Sequence, residues 1–493
     1  MPELERISVR NIGVYGLIRQ SAVDDNLTPD GAVVEAINVS FDRIGAVQSR
    51  PGLTAIGSSV SAGNPAIGLH NAQSSTALAV FIASGSSTVY HLASGAWAAI
   101  AAGTGAGVIR FVDFANRTVF FGPSERSVRV YSGSNFDTNS GDPINPQSLW
   151  YVNGNINTGY IRPQFGEVYK SRIYFSGDNT YTGFSSRIWF SAVISSSGVI
   201  TWSPSTDYVD INPADGENIS ALKRFSLELL IFKPNYTYRF RTSGVDPDPL
   251  IRVGTRSQES VVEGKRGLYF HHDTGFYRYS GGYPEEISRA VSDIVKAIPF
   301  GSYGSIAGWK DDDHIYYDLN GDITVADPQG NQTWKNAVLR YTESSDLWTL
   351  YSYSNKIRRG SPFITGTSSS IMVGLDNGVV AEFNKGQTDL GQPIKYRVVT
   401  KWYEPSGIEN RNEIEEMCAI AEKGRGAQLF YQIDNYQAPI SLATSLDSLI
   451  TYLKKTNKFH RIRFILQGMI SHESVVFNGV EIYKGTYEYV KNA

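Results

Sequence analysis

The sequence predicts an all-β protein: a divergent β-propeller of about six to seven blades, preceded by an N-terminal extended arm and followed by a C-terminal β-sandwich-like domain. Three observations predict it. Glycine at 47 residues, tyrosine at 29 and phenylalanine at 23, against only 4 methionines, describe a chain rich in turns and aromatics, which favours strands over helices. One phrase recurs about seven times at a spacing of roughly 40 to 50 residues, the spacing of four-stranded blades. The length of 493 residues leaves room for about three domains, placed at residues 1–60, 61–390 and 391–493.

In the arm, Ile7, Val9 and Ile12 alternate with polar residues, Gly13 and Gly16 follow, and the polar stretch Ser21 to Gly31 ends in the turn Thr28-Pro29-Asp30-Gly31. Such an arm buries too little surface to fold alone and pairs with another domain or another subunit. At Asn38 to Thr54 the character changes. Val39, Phe41 and Val47 alternate about Gly45, as two half-buried strands joined by a tight turn do. Pro51-Gly52 forces a second turn. Arg50 has no cause in the local fold, so it is expected to anchor the arm by an ion pair or carbonyl contacts. Asn38, Gly45, Arg50, Pro51 and Gly52 together form the expected structural junction.

From about Ala66 to Gly386 the recurring phrase is an apolar strand, a polar turn, a second apolar strand ending in Tyr or Trp, then Gly or Pro. It is seen at Ala77 to Ile82 with Thr88 to Leu92, and at Val108 to Phe114 with Thr118 to Phe121 and Val128 to Tyr131. It returns at Arg172 to Phe175 with Arg187 to Ala192, at Leu227 to Phe232 with Thr237 to Phe240, and at Gly267 to His271 with Gly275 to Tyr279. The last instances are Asp313 to Asp318 with Ala337 to Tyr341 and Leu347 to Tyr351, and Ser370 to Leu375 with Gly378 to Phe383. A pair of sandwiches or a solenoid is the competing architecture. One helix is expected between Pro284 and Pro299, with Ile287, Val291, Ile294, Val295 and Ile298 as an apolar stripe.

After Gln392-Pro393 come strands at Lys395 to Glu404, Glu415 to Ala421, Gln428 to Ile433, Phe459 to Gln467 and Val475 to Tyr483, with a short helix expected at about Leu446 to Lys455. Clean alternation in Arg461-Ile462-Arg463-Phe464-Ile465-Leu466 marks a half-buried strand, and the whole is of ordinary domain size.

A net charge of -3, from 45 basic and 48 acidic residues, gives no global footprint for sequence-specific nucleic-acid binding. The single cysteine, Cys418, excludes an intrachain disulfide. The opening residues lack the basic and apolar regions of a signal peptide, and no uncharged apolar run reaches the ~20 residues of a membrane-spanning helix. A soluble chain folded in the cytosol is expected.

Candidate chemistry is sparse. Asp311-Asp312-Asp313 is the densest carboxylate cluster and could serve glycoside hydrolysis, but a surface turn before a strand explains it more simply. Asp318-Leu319-Asn320-Gly321-Asp322 has calcium-loop spacing, yet Ile323 stands at the sixth position and Gln329 at the twelfth, and Asn320-Gly321 is a hairpin turn. His271-His272 lies on a strand, so the rings face opposite ways and cannot share one ion. Cys418 falls in an apolar run and reads as a buried inert thiol. No P-loop, nucleophile elbow or zinc motif is present. Neither an enzyme nor a metal or cofactor is expected. The run Lys454, Lys455, Lys458, Arg461 and Arg463 is a possible phosphate-facing patch, or equally the solvated side of a sandwich strand.

The order of features resembles a known family. Asn38, Gly45, Arg50, Pro51 and Gly52 match in the first phrase. In the propeller the matches are Ser260-Val261-Val262, Gly267-Leu268-Tyr269-Phe270, Gly275-Phe276-Tyr277 and Ile287-Ser288, and near the end Arg461, Arg463, Gly468, Asn478, Gly479 and Ile482. Together they resemble the tail nozzle or hub proteins of short-tailed bacteriophages, also described as tail tubular protein B or packaged-DNA stabilisation proteins. The resemblance implies a structural virion protein of the phage tail, made in the host cytoplasm. It implies a homo-hexameric ring below the portal and adaptor that closes the tail tube, retains packaged double-stranded DNA and conducts it at ejection, with tail fibre or spike proteins as further partners. The alternative is a receptor- or glycan-binding β-propeller of a phage tail, with Trp189, Trp202, Trp309 and Trp348 lining a sugar site.

Overall fold

The computed structural model describes residues 5–487, apart from 21–26, 44, 59, 61–62, 73–75, 84–85, 102–106, 115–116, 123–128, 132–162, 178–183, 194–205, 242–247, 327–330, 366, 405–410, 424–425, 435–437, 447–449, 455–457 and 471–474. Seven small antiparallel sheets follow one another along the chain. Blade 1 is built from Ala66–Asn71, Ala77–Ala83, Ser86–Ala93 and Ala96–Ala101, and blade 2 has three described strands between Arg110 and Tyr131. Blade 3 runs from Phe165–Tyr169 to Tyr208–Asp210, blade 4 from Ala221–Phe225 to Asp248–Ile251, and blade 5 from Val262–Glu263 to Glu285–Glu286. Blade 6 comprises Ala307–Lys310, His314–Asp318, Ala337–Thr342 and Leu347–Ser352, with a small hairpin, Ile323–Val325 and Gln332–Trp334, inserted.

Blade 7 closes the ring. Its strands Ile357–Thr365, Ser368–Leu375 and Val380–Phe383 take their fourth from Leu53–Ala55, far earlier in the chain, with Phe383 opposite Leu53. The first strands of blades 7 and 1 also touch, so the propeller is a closed circle of seven sheets and its blade edges are joined across the start of the chain. A sandwich pair or solenoid is thereby excluded.

The first strands of the blades approach the axis closely because glycine faces the neighbouring blade. A Cβ at Gly360 would lie 2.4 Å from the Trp309 ring, and one at Gly166 2.6 Å from Phe121. Any side chain there would push two blades apart.

The arm is woven into its own chain. Glu5–Arg10 pairs along Val476–Tyr487, and Val47–Ser49, the second strand of the hairpin with Val39–Ser40, continues the same edge. The other side of Val476–Tyr487 carries Arg411–Lys423, which pairs in turn with Ile450–Lys454. The second sandwich sheet is Gln392–Thr400, Ile462–Ile470, Ala427–Ile433 and Ile440–Ala443. Strand Val33–Ile37 joins it to the propeller, lying antiparallel to Gln392–Thr400 on one side and meeting Leu350 of blade 6 on the other. One 14-stranded sheet thus runs through blade 6, the arm, the sandwich and blade 7. Residues 1–60 do not form a separate unit, and the partner of the arm is another domain of the same chain, whose sheet edges it completes.

A single buried cluster fills the join. It includes Val39 and Phe41 of the hairpin, Tyr317 and Trp348 of blade 6, and Val398, Met417 and Ile482 of the sandwich. Side chains of this size each contribute roughly 1.5–3 kcal/mol when fully buried.

Two expected helices are corrected. Glu285–Glu286 pairs with Arg278 and Tyr277 as the outer strand of blade 5, so only Ser292–Lys296 is α-helical, after a 3-10 turn at Arg289–Val291. The apolar stripe still packs inward, with Val291, Ile294, Val295 and Ile298 buried. Sheet pairing outcompetes the helical pattern at its first turn. Toward the C-terminus, Ile450–Lys454 is a strand, because the long edge of Arg411–Lys423 takes its backbone donors and acceptors.

Candidate functional site

The junction expected around Arg50 is a buried polar hub. Asn38 adopts a left-handed backbone (φ 57°), which asparagine tolerates better than most residues. That turn aims its amide at three elements. Nδ2 donates to the Lys395 carbonyl of the sandwich at 2.6 Å, and Oδ1 accepts from the Ser352 amide of blade 6 and from Arg50 Nε, both at 2.8 Å. Arg50 is 1% exposed. Its guanidinium donates to both oxygens of Asp389 at 2.9 and 2.6 Å, to the carbonyl of its neighbour Pro51 and to that of Ser352, and lies 4.0 Å from the Tyr353 ring centre. Every N–H of the fork has a charged, carbonyl or aromatic acceptor, the condition under which a buried ion pair is tolerated.

Gly45 is left-handed (φ 75°) at the hairpin turn, as expected. Gly52 is not: it is required because a Cβ would stand 2.0 Å from the Thr388 carbonyl oxygen. The expected turn at Pro51-Gly52 is thus a close approach of two backbones, with Gly52 N donating to Gly386 O and Gly52 O accepting from Lys385 N. Sequence reasoning missed Asp389, which lies next to a tight turn at Leu390 and Gly391 and carries no local signal of its distant partner.

Beside the hub, Asp42 of the hairpin is clamped onto blade 6. His314 Nδ1 lies 2.7 Å from Asp311 Oδ1 and Nε2 3.2 Å from Asp42 Oδ1, and Arg340 donates to the same Asp42 oxygen. Both imidazole nitrogens face carboxylates, so only the doubly protonated ring satisfies them. Burial opposes that charge, but the bonds to Asp311 and Asp42 raise the His314 pKa overall.

The second place where charge gathers is the propeller axis. A cavity of about 500 Å³ opens there, lined by residues of all seven blades or the segments leading into them. Ion pairs cross it. Glu259, just ahead of blade 5, pairs with Arg110 of blade 2 through both carboxylate oxygens and lies 3.8 Å from Arg359 of blade 7. Burial works against the Glu259 charge, yet Arg110 and Arg359 hold its carboxyl down at about 2. Lys223 of blade 4 reaches Glu167 of blade 3 at 3.2 Å, and His70 of blade 1 reaches Asp113 of blade 2 at 3.0 Å. The Glu259 pairs join blades that are not neighbours, the other two join adjacent blades, and together they cross the cavity.

The remaining motifs have structural roles. Asp311 accepts bonds from His314 and Tyr316, while Asp312 and Asp313 lie in the turn before the strand and bind Lys265 and Ser344. The Asp318–Asp322 loop holds a lysine: Lys356 Nζ donates to the Asn320 carbonyl at 2.6 Å and to its side-chain oxygen. Asp318 itself is buried, and burial pushes its carboxyl up to about 7 against the pull of Lys356. Among the described residues no group of three or more His, Cys, Asp or Glu side chains is placed to hold a metal ion. His271 packs between Phe276 and Tyr303, and burial pushes its pKa down to about 3, while His272 bonds to Thr274. Cys418 is buried, which pushes its thiol up.

The possible phosphate-facing patch is only partly gathered. Arg461 and Arg463 lie 6.0 and 4.6 Å from the Trp402 ring centre. Arg461 also approaches Glu404 at 3.6 Å, and Arg463 donates to Gln432 at 3.0 Å. Lys454 and Lys458 pair through their backbones with Arg411–Lys423, and Lys455 lies outside the described residues. Trp189, Trp309 and Trp348 are 0%, 3% and 2% exposed inside blades, so they do not line a sugar site; Trp202 lies outside the described residues.

The fold and site define a closed seven-bladed propeller fused to a β-sandwich. No protein-family model and no curated protein matches the chain. Among solved structures it is similar to the WD40 domain of Neurospora crassa Pan2, at 10% identity and a TM-score of 0.36, over 68% of this chain and 94% of that one. It is also similar to YCF48 bound to D1 peptide, at 9% identity and a TM-score of 0.39, over 68% of this chain and 99% of that one.

Proposed function

We propose that the chain is a structural virion protein, a nozzle or hub subunit of a short-tailed phage tail that forms a hexameric ring, retains packaged DNA and conducts it at ejection. The observation that carries this reading is the continuity of the body. Blade 6, the arm, the sandwich and blade 7 share one hydrogen-bonded sheet, and the Arg50–Asp389 pair pins its crossing point. A subunit that closes a tube against internal pressure must transmit force without its domains parting, and inter-strand ladders with a shared core meet that need better than a flexible linker. The propeller axis is crossed by ion pairs, so a duplex whose major groove alone is about 12 Å wide has no route through a single subunit. Its path would be the centre of the ring. Near-neutral net charge suits such a conduit, because each neutralised phosphate adds salt-dependent affinity and therefore drag.

Electron microscopy of phage particles decorated with an antibody against this chain tests the reading. Label in a ring on the tail below the portal supports it. Label on projecting fibres alone, or none on the tail, is incompatible with a nozzle and leaves the receptor- or glycan-binding alternative.

A further inference from the structure

The charge on the propeller axis is unequal, and the inequality has an address. Among the described residues lining the cavity, the permanent cations Arg110, Lys223, Arg224 and Arg359 outnumber the carboxylates Asp113, Glu167 and Glu259 by one. Each carboxylate already has a cation or imidazole: Glu167 has Lys223, Glu259 has Arg110 with Arg359 behind it, and Asp113 has His70. Arg224 is the cation left over. It is exposed on Ala221–Phe225 and has no hydrogen-bond or ion-pair partner among the described residues.

The neighbouring charge is under-matched too. Burial lowers the pKa of Arg359, and Glu259, at 3.8 Å, offsets it only in part. The cavity also has an apolar side, where Phe111 stacks on His70 with ring centres 5.3 Å apart. Its volume of about 500 Å³ lies in the range of small-ligand sites, with a lining more polar than apolar.

We propose that the channel is a binding site for a single organic carboxylate, with Arg224 as its principal anion-binding group. One surplus positive charge matches a monoanionic head better than a phosphate dianion. The parallel N–H donors of a guanidinium match the two oxygens of a carboxylate, and the aromatic wall takes the attached carbon skeleton. Two sources present the same head: a free small acid, or an acidic side chain on a peptide of a partner. The inference is independent of the ring, since such a site would serve a propeller in any assembly.

Calorimetric titration of the full chain separates the sources. One arm uses phenylacetate, the other an acetylated Gly-Glu-Gly amide. The expected result is saturable binding in at least one arm, weakened about tenfold or more in Arg224→Ala, the loss that follows from one charge-assisted contact. Arg289→Ala, which removes an exposed arginine outside the channel, should bind as the parent does. Binding of phenylacetate alone assigns a free acid, and binding of the peptide assigns a partner segment. No saturable binding in either arm, or equal affinity in Arg224→Ala, overturns the proposal. Arg224 is solvent-exposed, so Arg224→Ala is expected to keep the parent's melting temperature, which a thermal melt checks.

Discussion

Arg50 and Asp389 stand 339 residues apart in the chain and meet through two parallel hydrogen bonds of 2.9 and 2.6 Å, with the arginine side chain wholly buried. The pair fastens the end of the arm to the strand that leads from blade 7 into the sandwich. Removing the arginine leaves the buried Asp389 carboxylate without its cation and takes a donor from the Ser352 carbonyl, while the Asn38 side-chain oxygen keeps only the Ser352 amide. Arg50→Ala is therefore expected to cost about 3–5 kcal/mol, read as a lower urea midpoint. Arg50→Lys keeps the charge but not the fork and should recover only part of the loss.

Much of this was legible in the sequence, and the boundary is a physical one. Blades 1 to 6 are each made of strands that lie near one another in sequence, so alternation and turn residues reveal them locally. Arg50 stood out because nothing nearby explained it. The closure of blade 7 by Leu53–Ala55 and the pairing of Glu5–Arg10 with the last strand were hidden, since both join chain segments hundreds of residues apart. Glu259 was hidden for the same reason: its value lies in Arg110 and Arg359, which reach it from other blades. The stripe from Ile287 to Ile298 faces the core, with Ile287 half-buried and Val291, Ile294, Val295 and Ile298 buried, but it is not one helix, because periodicity reports which side faces the core and not what the backbone bonds to.

The His314 clasp predicts a pH dependence. The folded pKa is raised above the ordinary value of 6.5, so the stabilisation is complete below about 6.5 and is lost as pH rises through the folded value. Hydrogen exchange in Val39–Ser49, corrected for its intrinsic pH dependence, should therefore accelerate as the pH rises above about 6.5. The groups that face the ring are Asp42 from the hairpin, Asp311 from its own turn and Arg340 from the next strand of blade 6. His314→Gln should abolish the pH dependence; unchanged dependence in that variant contradicts the assignment.

Gly52 gives a steric prediction. A methyl group would stand 2.0 Å from the Thr388 carbonyl oxygen and 2.5 Å from its carbon, both backbone atoms with nowhere to retreat. Gly52→Ala should lower the thermal midpoint sharply, by a free energy at or above the 1–3 kcal/mol of an overpacked site. Ala at Gly63, where an added Cβ meets nothing within 4 Å, adopts a strained φ of 83° but collides with nothing and should cost less.

Deletion of residues 1–56 should do more than remove an arm. It takes away the fourth strand of blade 7 and the edge strands of both sandwich sheets, leaving long unpaired edges. The truncated chain is expected to aggregate, read as loss of monomer in size-exclusion chromatography.

The central claim is that this rigidly joined chain works as a ring-forming structural subunit. The most direct measurement is the native mass of the chain mixed with purified portal and adaptor, the rings on which the proposed hexamer would sit. The account predicts an open-centred hexamer of 54.3 kDa subunits on the portal. A chain that stays a 54.3 kDa monomer beside the assembled portal and adaptor, and binds oligosaccharide instead, would contradict it.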